Sequence, residues 1–178
     1  RNIYVSDCSF LGTDIGLRFK TTRGRGGIVE NIYAANINMK DIPGEAILFD
    51  MYYAAKDPVP LAGEKRAAPK VQALPVTEAT PRFRNFYINN VVCSGAEKAV
   101  FIRGLPEMPV SNIFLRNLVI KAKEGISCLE ATGIHFSNVY LVTSSGKAPI
   151  QTRNTKDITT DNCRYRDAKN KTTEDHAF

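Results

Sequence analysis

The sequence is short of the residues that build metal centres and disulfide scaffolds. It has only four cysteines and two histidines among its 178 residues, and four cysteines are too few for a disulfide-stapled fold of this size. No Cys-x-x-Cys pair and no close group of cysteine and histidine occurs. We therefore expect no zinc or other metal site, no cofactor and no structural disulfide.

Long apolar runs and extreme compositions are absent as well. No run of about 18 apolar residues occurs, so the sequence predicts no transmembrane helix and no membrane partner. The 12 glycines and nine prolines exclude a collagen-like chain. With 43% hydrophobic and 24% charged residues, the chain has the composition of a folded protein rather than a disordered one.

The sequence also lacks a recognisable beginning. Arg1 opens directly onto a patterned segment, with no initiator methionine, signal peptide or helix cap. We interpret this as a cut end and expect further sequence before it. The missing leader therefore carries no information about the compartment.

What the sequence does contain is a repeat. One nine-residue phrase, NIYVSDCSF in its first copy, occurs six times. Its copies start at Asn2, Asn31, Asn85, Asn112, Gly133 and Asp157. The starts are 29, 54, 27, 21 and 24 residues apart, and the step of 54 equals about two of the others because it contains an insertion. Recurrence at this period is typical of a solenoid in which each unit contacts its neighbours.

Within each phrase the apolar positions change phase. Positions two and four are mainly apolar, as in a strand with one buried face, but the next apolar positions are seven and nine. This slip of one residue predicts a corner in the chain. The corner residue is always Asp or Asn: Asp7, Asn36, Asn90, Asn117, Asn138 and Asn162. These residues tolerate the left-handed conformation, and stacked asparagines would form a ladder.

The stretches between the phrases complete the pattern of each unit. Each holds one further short apolar run, so a unit contains about three short strands and no helical period. This predicts an all-β fold, a parallel β-helix in which residues 1–178 form one domain. A leucine-rich repeat has a similar period, but Leu does not dominate these positions. A β-sandwich would not share one corner residue in every unit.

Two segments depart from the repeat, and the N-terminal coil is expected to have an exposed end. Residues 54–82 hold five of the nine prolines, and we predict a Pro-rich insertion loop there. Residues 168–178 are predicted to form a polar tail that frays or caps the last coil. Because a solenoid cut across its repeat exposes apolar side chains and unpaired strand edges, we also expect self-association through the N-terminal coil.

One segment carries charge in a pattern that indicates anion binding. The strand-like GLRFK is followed by the glycine-rich turn TTRGRGG, which allows another backbone to approach closely. If Leu17 and Phe19 face the core, Arg18 and Lys20 face outward, about 7 Å apart. Two such cations repel each other unless an anion lies between them. A carboxylate suits this place, because the planar guanidinium of Arg and the compact ammonium of Lys both bind it well. The alternative is a solvated basic strand edge.

The segment GLRFKTTRGRGG, followed by the next NIY phrase, resembles the Arg-x-Lys region of glycoside hydrolase family 28, the polygalacturonases and related pectin hydrolases. The usual family motif is Arg-Ile-Lys, and Phe19 takes the place of Ile on the buried side. The resemblance implies a right-handed parallel β-helix of the pectin-lyase-like type, in agreement with the repeat. It also implies that Arg18 and Lys20 bind the carboxylate of a galacturonate-type sugar beside the scissile bond.

The family also has a tyrosine about one coil further along the chain. Tyr52, at the end of the strand-like ILFDMY, fits that place and would face the cleft, and its neighbour Tyr53 is an alternative. The resemblance therefore implies a substrate-binding set of Arg18, Lys20 and Tyr52. Asp50 would point outward one step earlier, where it either lines the cleft or pairs with Arg18 or Lys20.

The catalytic motifs of the family are missing from this sequence. The family places an Asn-Thr-Asp segment, an Asp-Asp pair and a Gly-His-Gly segment before Arg-x-Lys, and none of them occurs here. His135 lies at an outward repeat position on a different strand from Arg18, and His176 lies in the tail. We therefore assign no catalytic residue to this chain. We expect the C-terminal part of an inverting hydrolase, inactive alone.

Three functions are compatible with these residues. The resemblance implies a secreted or periplasmic pectin hydrolase whose partner is an acidic polysaccharide such as pectin or an oligogalacturonide. The second is a non-catalytic β-helix module that binds an acidic glycan. The third, nucleic-acid binding, is suggested by the net charge of +6. It is disfavoured because the basic residues are dispersed and no nucleic-acid motif occurs.

Overall fold

The computed structural model describes residues 1–52, 72–170 and 175–178, most of which lie in β-strands. The strands are β1 Ile3–Leu11, β2 Leu17–Lys20, β3 Ile28–Asp50, β4 Arg82–Arg103, β5 Val110–Lys121, β6 Glu124–Thr143, β7 Ile150–Asp161, β8 Arg164–Asp167 and β9 His176–Ala177. One turn of 3-10 helix, Ala168–Asn170, follows β8. Within these ranges no helix has the length and apolar character that crossing a membrane requires.

The strands stack as parallel coils in the order β1, β3, β4, β5, β6. The six phrases lie in register, and the second position of the phrase runs through Ile3, Ile32, Phe86, Ile113, Ile134 and Ile158. β3, β4 and β6 are long because each continues through a corner into the apolar run beside its phrase. The parallel β-helix predicted from the repeat is therefore confirmed.

The predicted corner residues adopt the left-handed conformation. In all six copies of the phrase their φ angles are positive, between 48° and 57°. The first residue of the phrase forms a second left-handed corner, with φ angles between 53° and 64°, which the phase slip did not predict. Asn and Asp fit both corners because their short side chains reach nearby polar groups and tolerate this region of backbone space.

Asparagine side chains form hydrogen-bonded ladders at both corners. At the first corner the amides donate, at 3.1 to 3.2 Å, from Asn31 to Asn2, from Asn85 to Asn31 and from Asn112 to Asn85. At the second corner they donate, at 2.8 to 3.0 Å, from Asn36 to Asp7, Asn90 to Asn36, Asn138 to Asn117 and Asn162 to Asn138. Asn117 departs from the ladder, since it donates to Asn89 instead of Asn90.

The inward positions form one continuous core along the solenoid. Phe86 is fully buried and packs against Phe49 and Phe19, with ring centroids 4.9 and 5.0 Å away. The four cysteines are free, and burial raises the thiol pKa of Cys93 to about 11 and that of Cys128 to about 12. These two thiols are therefore protonated at neutral pH and serve as small apolar core residues.

The two ends of the solenoid differ. At the N-terminal end, β1 exposes large side chains, among them Tyr4 at 73% and Leu11 at 69%. At the C-terminal end, β9 pairs antiparallel with β8, so part of the predicted tail covers the last coil. Residues 54–71 of the predicted insertion and 171–174 of the tail lie outside the described residues. The described part of the insertion, residues 72–81, forms no strand.

Candidate functional site

β2 places the two predicted cations at the outer surface. Leu17 and Phe19 pack against the core, so Arg18 and Lys20 lie on the opposite side of the strand. The side chain of Arg18 is 24% exposed, and Lys20 is exposed. β2 pairs in parallel with the last residues of β3, which puts Lys20 directly beside Asp50.

Arg18 already has an acidic partner. Its guanidinium forms an ion pair with the carboxylate of Asp14, which precedes β2. Asp14 also accepts a hydrogen bond from the backbone N–H of Ile15 at 2.9 Å, and its side chain is 75% exposed. Because exposed ion pairs contribute little free energy, another carboxylate can replace Asp14 at small cost.

Asp50 is bound by a cation of the next coil. Its two carboxylate oxygens accept hydrogen bonds from Arg103 at 3.0 and 2.7 Å, and Oδ1 also accepts from the backbone N–H of Tyr52 at 2.9 Å. Arg103 ends β4 and lies beside Asp50 in the register of β3 and β4. The ion pair is largely buried, with 8% of the Asp50 side chain and 11% of the Arg103 side chain exposed. Asp50 thus has a partner that the sequence analysis did not consider.

Two guanidinium groups contact the ring of Tyr52. The Cζ atoms of Arg23 and Arg103 lie 5.3 and 5.2 Å from the centroid of its ring, within the range of cation–π contacts. Its hydroxyl is buried and forms no hydrogen bond with the residues described in the structure. Burial raises the pKa of this hydroxyl, and the Arg23 guanidinium opposes the shift. The structure shows Tyr52 half-buried and packed against the core, and its predicted contact with substrate stays a prediction.

Arg23 is fixed by an acidic residue from a later coil. Its Nε and Nη2 atoms donate to the Glu107 carboxylate at 2.6 and 2.8 Å, and Nη2 also donates to the carbonyl of Gln72 at 3.0 Å. Only 5% of the Glu107 side chain is exposed. The hydrogen bond from Arg23 lowers the pKa of Glu107, and the same bond raises the pKa of Arg23. Both side chains are therefore charged at neutral pH.

Arg23, Tyr52, Arg103, Asp50 and Glu107 form a single group, which we call the Arg–Tyr–Arg cluster. The sequence analysis singled out Asp50 and Tyr52 but gave no role in a site to Arg103 or Glu107. Arg103 could have been found by aligning the apolar runs that lie between the phrases. Asp50 and Arg103 end two successive runs, so the alignment places them at equivalent positions. Glu107 lies in a turn after β4, and no sequence pattern connects it with Arg23.

The glycine-rich turn after β2 brings another backbone close, as the sequence predicted. The N–H groups of Gly24 and Gly26 both donate to the carbonyl of Ala79 at 3.0 Å. Gly26 has a φ of +58°, and a Cβ atom there would lie 2.2 Å from the carbonyl oxygen of Glu78. Only glycine fits this contact. The turn therefore ties β2 to the described end of the insertion.

His135 belongs to a different surface. It lies at the end of an outward column of stacked rings, with centroids 4.6 to 5.0 Å apart, made of Tyr4, Tyr33, Tyr87, Phe114 and His135. Its Nδ1 atom lies 2.8 Å from Thr159 Oγ1. Tyr53, the alternative to Tyr52, lies outside the described residues. Across the described ranges no group of His, Cys, Asp and Glu is arranged to hold a metal ion.

The chemistry available at this edge is binding rather than proton transfer. Arg18 and Lys20 supply two cationic donors on one rigid strand, suited to a carboxylate. Cations of this kind bind and orient an anionic group, and they do not replace the acid and base that glycoside hydrolysis requires. Asp50 and Glu107 are each held by an arginine, so both carboxylates are already engaged within the protein.

Comparisons with known proteins bear on the N-terminal part of the chain. The sequence model of "Glycosyl hydrolases family 28" matches residues 1–77, a range that includes Arg18, Lys20 and Tyr52. Neither the curated proteins nor the solved structures give a significant match. The parallel β-helix of the described residues is the fold characteristic of this family. The match covers less than half of the chain, and together with the fold it supports a relationship of residues 1–77 to this family.

Proposed function

We propose that the chain is part of a glycoside hydrolase that acts on galacturonate-containing pectic polysaccharide, and that β2 binds a carboxylate of that polymer. The observation that carries this proposal is the outward placement of Arg18 and Lys20 on one strand, inside the range related to family 28. A polymer of uronic acids offers one carboxylate per sugar, which matches a pair of fixed cations.

The geometry of the strand explains why two cations are useful here. Alternate residues of a strand lie about 7 Å apart on the same face, so Arg18 and Lys20 can hold one carboxylate between them or contact neighbouring sugars. Arg18 offers a planar fork and Lys20 a compact charge. In inverting hydrolysis such groups orient the substrate, while a separate acid and base carry the protons. We assign neither the acid nor the base to a residue of this chain.

A second candidate function is a non-catalytic module that holds an acidic glycan. The absence of the Asn-Thr-Asp, Asp-Asp and Gly-His-Gly motifs from the sequence favours it. Both functions require the same binding site, and they differ in whether new reducing ends appear when the protein is incubated with polygalacturonate. In either case we propose that the protein meets its polymer outside the cytoplasm, as a secreted or periplasmic protein.

The test is the affinity of the protein for an oligogalacturonate, measured by isothermal titration calorimetry. We expect Arg18→Ala and Lys20→Ala each to weaken binding roughly tenfold, the size of one charge-assisted contact. The loss is expected to shrink at high salt because the interaction is ionic. A neutral galactan oligomer serves as the control ligand and is expected to bind weakly to all forms.

Two further variants sharpen the test. Lys40→Ala removes an exposed cation from β3 at a distance from β2, and wild-type affinity is expected. Asp14→Asn frees the guanidinium of Arg18 from its ion pair, and tighter binding is expected. Unchanged affinity in both Arg18→Ala and Lys20→Ala, with folding intact, would show that β2 is a solvated basic edge and would remove the assignment.

A further inference from the structure

An acidic residue occupies a place that is unfavourable for the proposed site. Asp50 lies directly beside Lys20 in the register of β2 and β3, and neighbouring strands are about 4.8 Å apart. A carboxylate this close would pair with the lysine ammonium and repel a bound uronate. This register therefore weakens the site unless another cation binds Asp50.

Arg103 supplies that cation. On the other side of Asp50 it is the register neighbour in β4, and its Nε and Nη2 atoms donate to both carboxylate oxygens at 3.0 and 2.7 Å. This bidentate arrangement is the strong form of an arginine–carboxylate contact. Since Oδ1 also accepts from the backbone of Tyr52 at 2.9 Å, most of the accepting capacity of Asp50 is used away from Lys20.

The rest of the Arg–Tyr–Arg cluster holds Arg103 in this position. The centroid of the Tyr52 ring lies 5.2 Å from the Arg103 Cζ atom and 5.3 Å from the Arg23 Cζ atom. Arg23 in turn is fixed by two hydrogen bonds from its guanidinium to Glu107. The guanidinium of Arg103 also lies 5.6 Å from the ring of Phe101. Its freedom to leave Asp50 is therefore small.

We propose that Arg103 is a positioning residue for the carboxylate site of β2, because it keeps the Asp50 carboxylate away from Lys20. Tyr52 acts as the spacer that holds Arg103 against Asp50, and it does not contact the substrate. This inference rests on the proposed function, in which Lys20 binds a uronate. Arg103 acts through Asp50 and is distinct from the residues that touch the glycan.

The experiment compares oligogalacturonate affinity in Arg103→Gln, Asp50→Asn and the double variant. In Arg103→Gln the released Asp50 carboxylate turns to Lys20, and binding is expected to weaken about fivefold, as for one partly exposed ion pair. Asp50→Asn keeps the acceptor for the Tyr52 backbone and removes the charge, so affinity equal to or tighter than wild type is expected. In the double variant the competing charge is gone, and affinity is expected to return to near the wild-type value.

The double variant separates the proposed role from a purely structural one. If Arg103 merely supports the fold, removing the charge of Asp50 as well will not restore binding, and that result would overturn the inference. Arg164→Gln, an exposed arginine of β8, controls for the loss of one positive charge and is expected to bind normally. If Arg103→Gln does not fold, Asp50→Asn alone decides the question, since weakened binding there contradicts the proposal.

The failure of this inference differs from failure of the proposed function. If Lys20→Ala binds oligogalacturonate as tightly as wild type, β2 is not the site and the proposed function fails. If Lys20→Ala weakens binding while Arg103→Gln does not, the site stands and the role of Arg103 is wrong.

Discussion

The two sides of each coil differ in how much the residue at a given position varies from one coil to the next. On the side of the repeated phrase, a given position holds the same kind of residue in coil after coil, as in the asparagine ladders and the column of stacked rings from Tyr4 to His135. On the side of β2, one register position holds Lys20, Asp50 and Arg103 in successive coils. Uniform columns stabilise the solenoid, whereas the varied column carries the candidate site.

The difference has a simple electrostatic cause. Amides and uncharged rings stack favourably on copies of themselves, because each amide is both donor and acceptor and parallel rings pack at 4.6 to 5.0 Å. Identical charges at the spacing of neighbouring strands repel. A column that contains cations for binding must therefore alternate its sign, as Lys20, Asp50 and Arg103 do. The following predictions test this contrast, beginning with the largest effect.

The largest effect is expected in the core that both sides share. Phe86→Ala removes a fully buried ring that contacts Phe49 and Phe19, and it should lower the free energy of unfolding by about 3–5 kcal/mol. Phe114→Ala removes a partly exposed ring from the outward column, and about 1–2 kcal/mol is expected from its two stacking contacts. Urea denaturation measures both. Equal losses in the free energy of unfolding would mean that a ring in the outward column stabilises the fold as much as a ring in the core.

The next effect concerns the ion pair that closes the Arg–Tyr–Arg cluster. Glu107→Gln should lower the free energy of unfolding by about 2 kcal/mol at neutral pH, because it removes a charge-assisted, bidentate contact with Arg23. The pKa of Glu107 is lowered in the folded protein. Its contribution is therefore fully present above the ordinary pKa, about 4.3 in an unfolded chain, and disappears as the pH falls through the lowered value.

The measurement is the difference in unfolding free energy between wild type and Glu107→Gln from neutral pH down to acid conditions. The two curves should converge below about pH 4. A constant difference over the whole range would show that the carboxylate charge does not stabilise the cluster.

A smaller effect is expected at a corner of the phrase side. Asn36 has a φ of +57°, donates to Asp7 and accepts from Asn90. Asn36→Ala should cost about 1–2 kcal/mol, since alanine is strained in this region and the ladder is broken. Asn36→Gly removes only the ladder contacts and relieves the strain. If Asn36→Gly and Asn36→Ala lower the melting temperature equally, the ladder hydrogen bonds account for most of the stability that Asn36 contributes.

The smallest effect is expected at Tyr52. Its hydroxyl is buried and has no hydrogen-bond partner among the described residues, so Tyr52→Phe should leave stability unchanged or raise it slightly. Oligogalacturonate affinity should also be unchanged, because the ring of phenylalanine still contacts the guanidinium of Arg103. Weaker binding in this variant would instead support the direct contact with substrate that the family resemblance implies for Tyr52.

Much of this molecule follows from local sequence. The phase slip in the phrase predicts the corner, and Asn or Asp at that corner predicts its left-handed backbone, because both depend on a few adjacent residues. The alternation of Leu17, Arg18, Phe19 and Lys20 likewise places the cations outward. The second corner was missed, although Asn or Asp begins five of the six phrases, because no phase slip marks it within the phrase.

The sequence by itself determined the coil, the Asn or Asp corner within the phrase and the outward strand of cations. Only the tertiary structure decided which charges those cations meet. Arg103 binds Asp50 from 53 positions away, and Glu107 binds Arg23 from 84 positions away. No local pattern encodes these partners, because they depend on the register of stacked coils and on where a turn passes over the sheet. The surroundings of Tyr52 could not be predicted for the same reason, because the arginines that contact its ring lie far from it in the chain.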